Sequence, residues 1–288
     1  MLRLAHQKYQ LELAPEFGGA ILSMKFDGLN IFREAKLEEV QSTPETSACF
    51  PCVPYFGRLY DGLLLDGSRV PLSPTVPSSR LPLHGEGWVS PWRCVLQSST
   101  RATIRLDHDG LDAGRYPFAF RAEQSFSLSA QGLDVVLSVI NRDNRPMPCG
   151  LGLHPYFPRS SASKVKFRAK QEWCLPNGST GGRLRTLQNE LGTGLSSELP
   201  SYEADLSFTG FEGKAVIHAR DLDVHLSSDA PLLHLYAPQN KNFFCLESIT
   251  HAPGLLMEDH CSLSGTMLAP GEITSVKMSI SAQVPIPS

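Results

Sequence analysis

The sequence predicts an all-β protein, built as a large antiparallel β-sandwich. Apolar and polar residues alternate with a period of two in many short stretches, which is typical of half-buried strands. Turn-forming dipeptides separate these stretches, and the chain contains 23 glycines and 22 prolines among 288 residues. Patterns long enough for extended helices are lacking. Twisted antiparallel sheets that pack face to face are the architecture this combination favours.

Individual strands are predicted wherever the alternation is regular. The clearest covers residues 132–141, with an apolar face formed by Leu133, Val135, Leu137 and Val139. Its opposite face also carries Val136 and Ile140, so both faces of this strand are expected to be buried. Further strands are predicted to begin at Tyr9, Ile21, Thr103, Phe120, Val165, Ala215, Leu222, Leu232 and Val276. Turns are predicted at Asp27-Gly28, Asp66-Gly67, Gln131-Gly132 and Pro270-Gly271.

Helices have a small part in the prediction. Short, weakly patterned helices are expected over residues 32–40 and 183–191. Long loops are expected over residues 41–47 and over residues 71–83, which contain four prolines. Loops held on a rigid sheet often carry the residues of a functional site. No shift in composition marks a boundary, so a single domain over residues 1–288 is expected.

Composition and charge argue against several classes of protein. The 26 lysines and arginines against 29 aspartates and glutamates give a net charge of −3, without the basic surface that nucleic-acid binding needs. No apolar run approaches the roughly 18 residues that cross a bilayer. Residues 1–10 lack the apolar core of a signal peptide, and seven cysteines cannot all pair within the chain. A reduced, cytoplasmic environment is therefore expected, with neither nucleic acid nor membrane as a partner.

Two short stretches place a basic residue among glycines, prolines and aromatic residues. In residues 50–59, Arg58 follows a long apolar run, as an arginine that lines a cleft would. A surface cation whose charged end extends into water would give the same pattern. In residues 81–88, His84 is followed by two glycines and Trp88, so a ligand could approach the backbone closely and contact a flat ring. The alternative is a histidine in an ordinary turn.

Two further stretches place an ionisable residue at or near the end of an apolar strand. His154, in residues 150–157, lies just before a proline. A lone histidine in an apolar run is more often a hydrogen-bonded core residue than a catalyst. Glu247, in residues 243–248, closes a strand that is otherwise apolar. A carboxylate there is costly unless it is paired, and glutamate is rarely buried without a reason, so Glu247 is the strongest single indication of function.

Taken together, these motifs resemble the aldose 1-epimerases, also called galactose mutarotases. The shared order is an arginine, His-Gly, His-Pro-Tyr-Phe, Asp-x-x-Phe and Leu-Glu, and the similarity extends from residues 17–19 to residues 268–272. The resemblance implies a large β-sandwich of the galactose mutarotase-like type (a supersandwich) with an open concave sheet. It also implies an isomerase that interconverts the α and β anomers of a free aldohexose. A small-molecule sugar would then be its partner, and neither a cofactor nor a metal would be needed.

The resemblance also implies roles for individual positions. Glu247 matches the general base and His154 the general acid, which would open the cyclic hemiacetal and close it again from the other face. The sugar-binding residues that it implies are Arg58, His84, Asp205, Tyr156 and Gln239. The sequence departs from the family at Gly57, where asparagine is common, and at residues 252–254, which read Ala-Pro-Gly instead of Pro-Asp-Ala. These departures concern the choice of substrate more than the type of reaction.

Three other functions stay open at the level of sequence. A hexose-6-phosphate 1-epimerase would keep the acid–base pair and add arginines for the phosphate, for which Arg80 and Arg159 are candidates. A non-catalytic carbohydrate-binding domain would share the fold without turnover. A zinc protein would use Cys49 and Cys52, although no second pair of ligands accompanies them. The oligomeric state, monomer or homodimer, is left undecided.

Overall fold

The computed structural model describes residues 1–175, 182–188, 190–256 and 263–285. The regular structure of these residues is almost entirely β-strand. Their only α-helix is the short α1 (Leu37–Ser42), and two 3₁₀ helices cover Pro44–Thr46 and Gly87–Val89. None of the helices in these ranges is long and apolar enough to cross a membrane. The all-β prediction is thus confirmed.

The strands follow one another along the whole chain. The first twelve are β1 (Leu2–His6), β2 (Tyr9–Ala14), β3 (Ala20–Phe26), β4 (Leu29–Asn30), β5 (Cys49–Cys52), β6 (Leu63–Leu65), β7 (Ser68–Val70), β8 (Arg93–Gln97), β9 (Arg101–His108), β10 (Phe120–Ser129), β11 (Gly132–Asn141) and β12 (Met147–Cys149). The next twelve are β13 (Gly152–Pro158), β14 (Lys164–Phe167), β15 (Gln171–Cys174), β16 (Arg183–Arg185), β17 (Ser197–Glu198), β18 (Ala204–Thr209), β19 (Lys214–His218), β20 (Asp223–Ser228), β21 (Leu232–Ala237), β22 (Phe243–Ile249), β23 (Thr266–Leu268) and β24 (Ile273–Gln283).

Two large sheets contain most of these strands. An eleven-stranded sheet has the order β1-β2-β3-β5-β13-β22-β21-β18-β15-β16, with β4 paired to β3 beside this path. A nine-stranded sheet has the order β17-β14-β19-β20-β24-β11-β10-β9-β8, and the pairs β12-β23 and β6-β7 lie apart. Neighbouring strands pair in antiparallel fashion. The predicted architecture of large antiparallel sheets is therefore confirmed.

The main hydrophobic core contains side chains from both large sheets, because alternate residues of a strand point to opposite faces. In β22, Phe244 and Leu246 enter this core together with Leu137 of β11. The residues between and after them, Cys245 and Glu247, point to the other face of the eleven-stranded sheet. Every second side chain of this sheet is therefore available on its far surface, and that surface carries the candidate site.

The strand predicted over residues 132–141 is β11, and its apolar face is buried as expected. Its second face is not fully buried, because Val136 and Ile140 lie on the outer surface of the nine-stranded sheet and stay partly exposed. The turn at Asp66-Gly67 also forms as predicted. Both of its residues have positive φ, as a two-residue hairpin turn between β6 and β7 requires.

The helix predictions are largely wrong. Only residues 37–40 of the first region are helical, and the helix continues to residue 42, inside the predicted loop over residues 41–47. In the second region, of which residue 189 lies outside the described residues, residues 183–185 form β16. There Arg185 Nε donates a 2.8 Å hydrogen bond to Glu172 of β15, directly across the strand pair. Cross-strand pairing of this kind outweighs a weak helical pattern. Residues 71–83 are irregular, as expected.

Candidate active site

The register of six adjacent strands aligns one side chain from each across the eleven-stranded sheet. Read from β5 to β15, this transverse row consists of Phe50, His154, Glu247, His234, Ser207 and Trp173. All six residues are buried, although four of them are polar. Adjacent strands lie about 4.8 Å apart, so neighbours in the row can interact directly. Residues far apart in the sequence, such as His154 and Glu247, which are 93 positions apart, meet in this way.

A cavity of about 480 Å³ opens over the transverse row. Six of the seven site residues predicted from the sequence line it, namely Arg58, His84, His154, Tyr156, Asp205 and Glu247. Aromatic rings form much of the remaining wall, and Phe50 stacks on Trp88 with 5.0 Å between ring centroids. The volume lies within the range of about 300 to 1,000 Å³ that is typical of small-molecule pockets.

Glu247 is a buried carboxylate whose oxygens make no hydrogen bond within the described part of the chain. The residue is 1 % exposed, and neither of its carboxylate oxygens has a hydrogen-bond partner among the described residues. Burial raises the pKa of this carboxyl well above its usual value, and the nearby negative charge of Asp205 raises it further. A buried polar group without a partner is rare in native proteins. The arrangement is therefore suited to a ligand that brings its own hydrogen-bond donors.

His154 faces Glu247 from the neighbouring strand. Its Nε2 lies 3.5 Å from Glu247 Oε2, and its Nδ1 is also without a partner among the described residues. Burial lowers the pKa of this imidazole well below its usual value, with smaller contributions from His84, His234 and Arg33. The ring stacks on Tyr156 at 4.7 Å between centroids, which fixes its orientation. The ring is thus held beside Glu247, where it can exchange a proton with a bound molecule.

His84 is held in one tautomer by the backbone. The N–H of Gly57 donates a 3.1 Å hydrogen bond to His84 Nδ1, so this nitrogen must be an unprotonated acceptor. The proton of the neutral ring is then on Nε2. Burial, followed by the positive charge of Arg58, lowers the pKa of His84 well below its usual value. His84 is therefore suited to donate one fixed hydrogen bond, whereas His154 is suited to gain and lose a proton.

The loop that carries His84 depends on the glycine after it. Both His84 (φ +55°) and Gly85 (φ +68°) are in the left-handed region, and a Cβ on Gly85 would collide with the carbonyl oxygen of Val53. We expect Gly85→Ala to lower the free energy of unfolding by about 2 kcal/mol or more, because strain and a backbone collision add. Urea unfolding curves measure this loss.

Gly67 provides the matched control for this substitution. It has a similar φ of +75°, but no atom lies within 4 Å of the position that a Cβ would take. Gly67→Ala should therefore lower the free energy of unfolding by only about 1 kcal/mol, which is the cost of an alanine in the left-handed conformation. Equal losses for the two variants would contradict the assigned role of the Val53 contact.

Asp205 belongs to a hydrogen-bonded chain that the sequence did not reveal. His234 Nε2 lies 3.2 Å from Asp205 Oδ1, and Ser207 Oγ lies 2.8 Å from His234 Nδ1. Desolvation opposes ionisation of Asp205, but the hydrogen bond from His234 and the charges of His234 and Arg58 lower its pKa on balance. The side chain is 57 % exposed at the mouth of the cavity. It is thus a charged acceptor with room for ligand hydroxyls.

Arg33 is a second residue that sequence reasoning missed. Its guanidinium carbon lies 3.5 Å from the centroid of the Tyr156 ring, and the same group donates to the carbonyl oxygens of Glu45 and Ser47. These contacts fix Tyr156 from behind, and Tyr156 in turn stacks on His154. An arginine inside a predicted short helix, as Arg33 is, carries no local signal of this role.

A family model described as aldose 1-epimerase matches residues 1–281. This chain belongs to the aldose 1-epimerase family. The curated Escherichia coli K12 protein YphB, itself described as uncharacterised, is 29 % identical over 96 % of this chain and 97 % of its own. A provisionally assigned aldose 1-epimerase of Escherichia coli K12 has a structure with a TM-score of 0.88, 27 % identity and 99 % coverage of both chains. A galactose mutarotase-like protein of Clostridium acetobutylicum, at 19 % identity, shares the fold with a TM-score of 0.84 over 98 % of this chain and 95 % of its own.

This member of the aldose 1-epimerase family departs from the common pattern at two places. Both places lie in one wall of the cavity. Gly57 has a φ of +74°, and a Cβ there would lie 3.0 Å from Cβ of Pro253. The carbonyl oxygen of Pro253 also accepts a hydrogen bond from Trp173 Nε1 at 3.2 Å. A side chain at position 57 would press on this proline, so the two departures are sterically linked.

Gln239 is not part of the candidate site, contrary to the prediction. It follows β21 and lies in a separate surface depression, where its side-chain amide donates a 3.5 Å hydrogen bond to the carbonyl oxygen of Ser201. Arg159 lies in the same depression and donates to the carbonyl oxygens of Pro200 and Pro238. Arg80 is exposed and does not line the cavity. Neither arginine proposed for a phosphate reaches the acid–base pair.

Cys49 and Cys52 do not form a pair of metal ligands. They are three residues apart in β5, so their side chains point to opposite faces of the sheet. Cys49 packs in the core between the sheets, whereas Cys52 lies on the cavity side with its sulfur 3.3 Å from His84 Nδ1. The six cysteines within the described residues are all free thiols.

Proposed function

We propose that this protein is an aldose 1-epimerase that interconverts the α and β anomers of a free aldohexose. The observation that carries the proposal is the pairing of Glu247 and His154, 3.5 Å apart, at a place where both Glu247 oxygens and His154 Nδ1 have no hydrogen-bond partner among the described residues. A cyclic hemiacetal supplies the missing partners, because it offers a hydroxyl to the carboxylate and a ring oxygen to the imidazole.

In the proposed reaction, Glu247 accepts the proton of the anomeric hydroxyl while His154 donates a proton to the ring oxygen. The C1–O5 bond breaks and an open-chain aldehyde forms. Rotation about C1–C2 presents the other face of the carbonyl group. The ring oxygen then attacks C1 as His154 takes its proton back and Glu247 returns a proton to the new anomeric oxygen. Positioned groups of this kind each accelerate proton transfer by about 10²- to 10⁴-fold.

Sugar binding also prepares the two groups for these roles. Without a ligand, burial favours a neutral carboxyl on Glu247 and a neutral ring on His154. A hydroxyl that donates to Glu247 stabilises the carboxylate, and a ring oxygen that accepts from His154 stabilises the imidazolium. The proton therefore moves from Glu247 to His154 when the sugar binds. His84 Nε2–H and Arg58 supply fixed donors to oxygens that gain negative charge during ring opening.

The charges around the cavity favour a free sugar over a phosphorylated one. Glu45, Glu203 and Asp205 line the cavity together with Glu247, and Arg58 is the only lysine or arginine among the described lining residues. The phosphate group of a sugar phosphate would add about two negative charges to this acidic cavity. Like charges at close range oppose binding.

We expect kcat/KM for α-glucose or α-galactose to exceed that for glucose 6-phosphate by at least about tenfold, and the ratio to fall as salt screens the acidic residues. Anomer-exchange NMR on a panel of aldoses and their 6-phosphates measures this preference. Glu203→Gln, which removes one negative charge from the rim of the cavity, should lower the ratio of kcat/KM for the free sugar to kcat/KM for the phosphate. Equal or faster turnover of the phosphate would identify a hexose-6-phosphate 1-epimerase instead. Binding of sugars without faster exchange would identify a non-catalytic domain.

A further inference from the structure

We propose that Cys245, His154 and Glu247 form a binding site for a thiophilic divalent cation of the Zn²⁺ class. The cation would block the sugar reaction, which is the part of this inference that rests on the proposed function. One ligand atom from each of the three residues lies within 4.8 Å of the others. All three side chains are buried, with exposures of 0 % for Cys245, 6 % for His154 and 1 % for Glu247.

The sheet itself brings the three ligands together. Cys245 and Glu247 are two residues apart in β22 and therefore point to the same face, and His154 is on the adjacent β13. His154 Nε2 and Glu247 Oε2 are already 3.5 Å apart. Ligands of a tetrahedral zinc ion, at about 2.0 to 2.3 Å from the metal, are separated by roughly 3.3 to 3.7 Å. Small side-chain rotations are therefore sufficient to close the coordination sphere.

The carboxylate and one imidazole nitrogen of this site are unoccupied by hydrogen bonds in the described residues. Both oxygens of Glu247 and Nδ1 of His154 lack hydrogen-bond partners within the described part of the chain. A cation can therefore bind to Glu247 and His154 without breaking a hydrogen bond that these atoms make in the described residues, and it would compensate the buried carboxylate.

The donor set selects the class of cation. A thiolate, an imidazole and one carboxylate suit Zn²⁺ and similar thiophilic ions, whereas Mg²⁺ and Ca²⁺ require several oxygen ligands. Glu247 and His154 line the cavity, so a fourth coordination position would open towards it and admit water or a sugar hydroxyl. A cation bound there would occupy the atoms that exchange protons with the sugar, and would compete with substrate.

The test begins with metal-free full-length protein and no sugar. Isothermal titration with ZnCl₂, and the thiolate-to-metal absorption band on titration with CoCl₂, report binding independently of turnover. We expect one equivalent of Zn²⁺ to bind to the wild type, and Cys245→Ser to weaken this binding at least tenfold. Cys94→Ser is the matched control, because Cys94 is an exposed thiol on β8. It should leave the affinity unchanged, and MgCl₂ should not bind.

Glu247→Gln provides a second ligand deletion, in case Cys245→Ser does not fold, and it should weaken Zn²⁺ binding as well. Unchanged Zn²⁺ affinity in either ligand variant, or loss of binding in Cys94→Ser alone, would overturn the proposal. So would an absence of binding to the wild type.

In the anomer-exchange assay, Zn²⁺ should inhibit the wild type competitively and should not inhibit Cys245→Ser. If Zn²⁺ binds but does not inhibit anomer exchange, the inhibition is refuted and the proposed function stands. If Zn²⁺ binds and the protein has no exchange activity, the proposed function is refuted and the metal site stands.

Discussion

Glu247→Gln is expected to abolish catalysed anomer exchange and, at the same time, to make the protein more stable. The amide keeps the shape of the side chain but cannot accept the anomeric proton. It also removes a carboxyl that is 1 % exposed and has no partner among the described residues. The folded protein holds a proton on this carboxyl that the unfolded chain releases at neutral pH, and the amide carries no such cost, so the melting temperature should rise by a few degrees. Polarimetry on freshly dissolved α-glucose or α-galactose, together with thermal melting, measures both effects.

The gain in stability should depend on pH in a defined direction. Burial raises the pKa of Glu247 in the folded protein well above the ordinary value of 4.5. The folded state therefore binds more protons than the unfolded state between these two values, and its stability falls as pH rises through that interval. The advantage of the glutamine variant should thus be largest at neutral pH and disappear below about pH 4.5. Melting curves across this range measure the trend.

Glu172 provides the control, since it is equally buried but fully engaged. Its carboxylate accepts hydrogen bonds from Arg185 Nε at 2.8 Å and from the backbone N–H of Gln188 at 3.2 Å. Glu172→Gln should lower stability and leave anomer exchange unchanged. Exchange at the wild-type rate in folded Glu247→Gln protein would rule out Glu247 as the general base.

The fold was largely predictable because its main signal is local. Alternation with a period of two can be read from a few neighbouring residues, and it correctly assigns Leu133 and Leu137 to the core. The same alternation implies that Cys245 and Glu247 share a face. The short helices were not predictable, because cross-strand partners such as Glu172 and Arg185 compete with weak helical patterns and are distant along the chain.

The candidate site was predictable only where a residue looked unusual in its own strand. Glu247 stood out as a carboxylate in an apolar run, and the resemblance supplied roles for its companions. His234 lies in a similar apolar run, but a single buried histidine usually belongs to a core. Only the order of the strands shows that His234 lies directly beside Glu247. Gln239 was expected in the site, but the structure places it outside, because the chain turns away from the cavity after β21.

His154→Ala is expected to lower kcat by at least about a hundredfold, with a much smaller change in KM, because a general acid contributes mainly in the transition state. The imidazole contacts Glu247 at 3.5 Å and packs between Phe50 and Tyr156, so its removal leaves a ring-sized space beside the carboxylate. Added imidazole should occupy this space and restore part of the rate. Progress curves with and without imidazole, corrected for uncatalysed mutarotation, measure the effect.

His84→Gln distinguishes proton transfer from simple binding. The Gly57 N–H holds His84 Nδ1 as an acceptor, so this residue can donate a hydrogen bond from Nε2 but does not readily gain a second proton. A glutamine can accept from Gly57 and still donate to a ligand, so we expect a raised KM with most of kcat retained and no response to imidazole. If His154→Ala behaved in the same way, with kcat retained and only KM raised, His154 would be a binding residue and another group would have to protonate the ring oxygen.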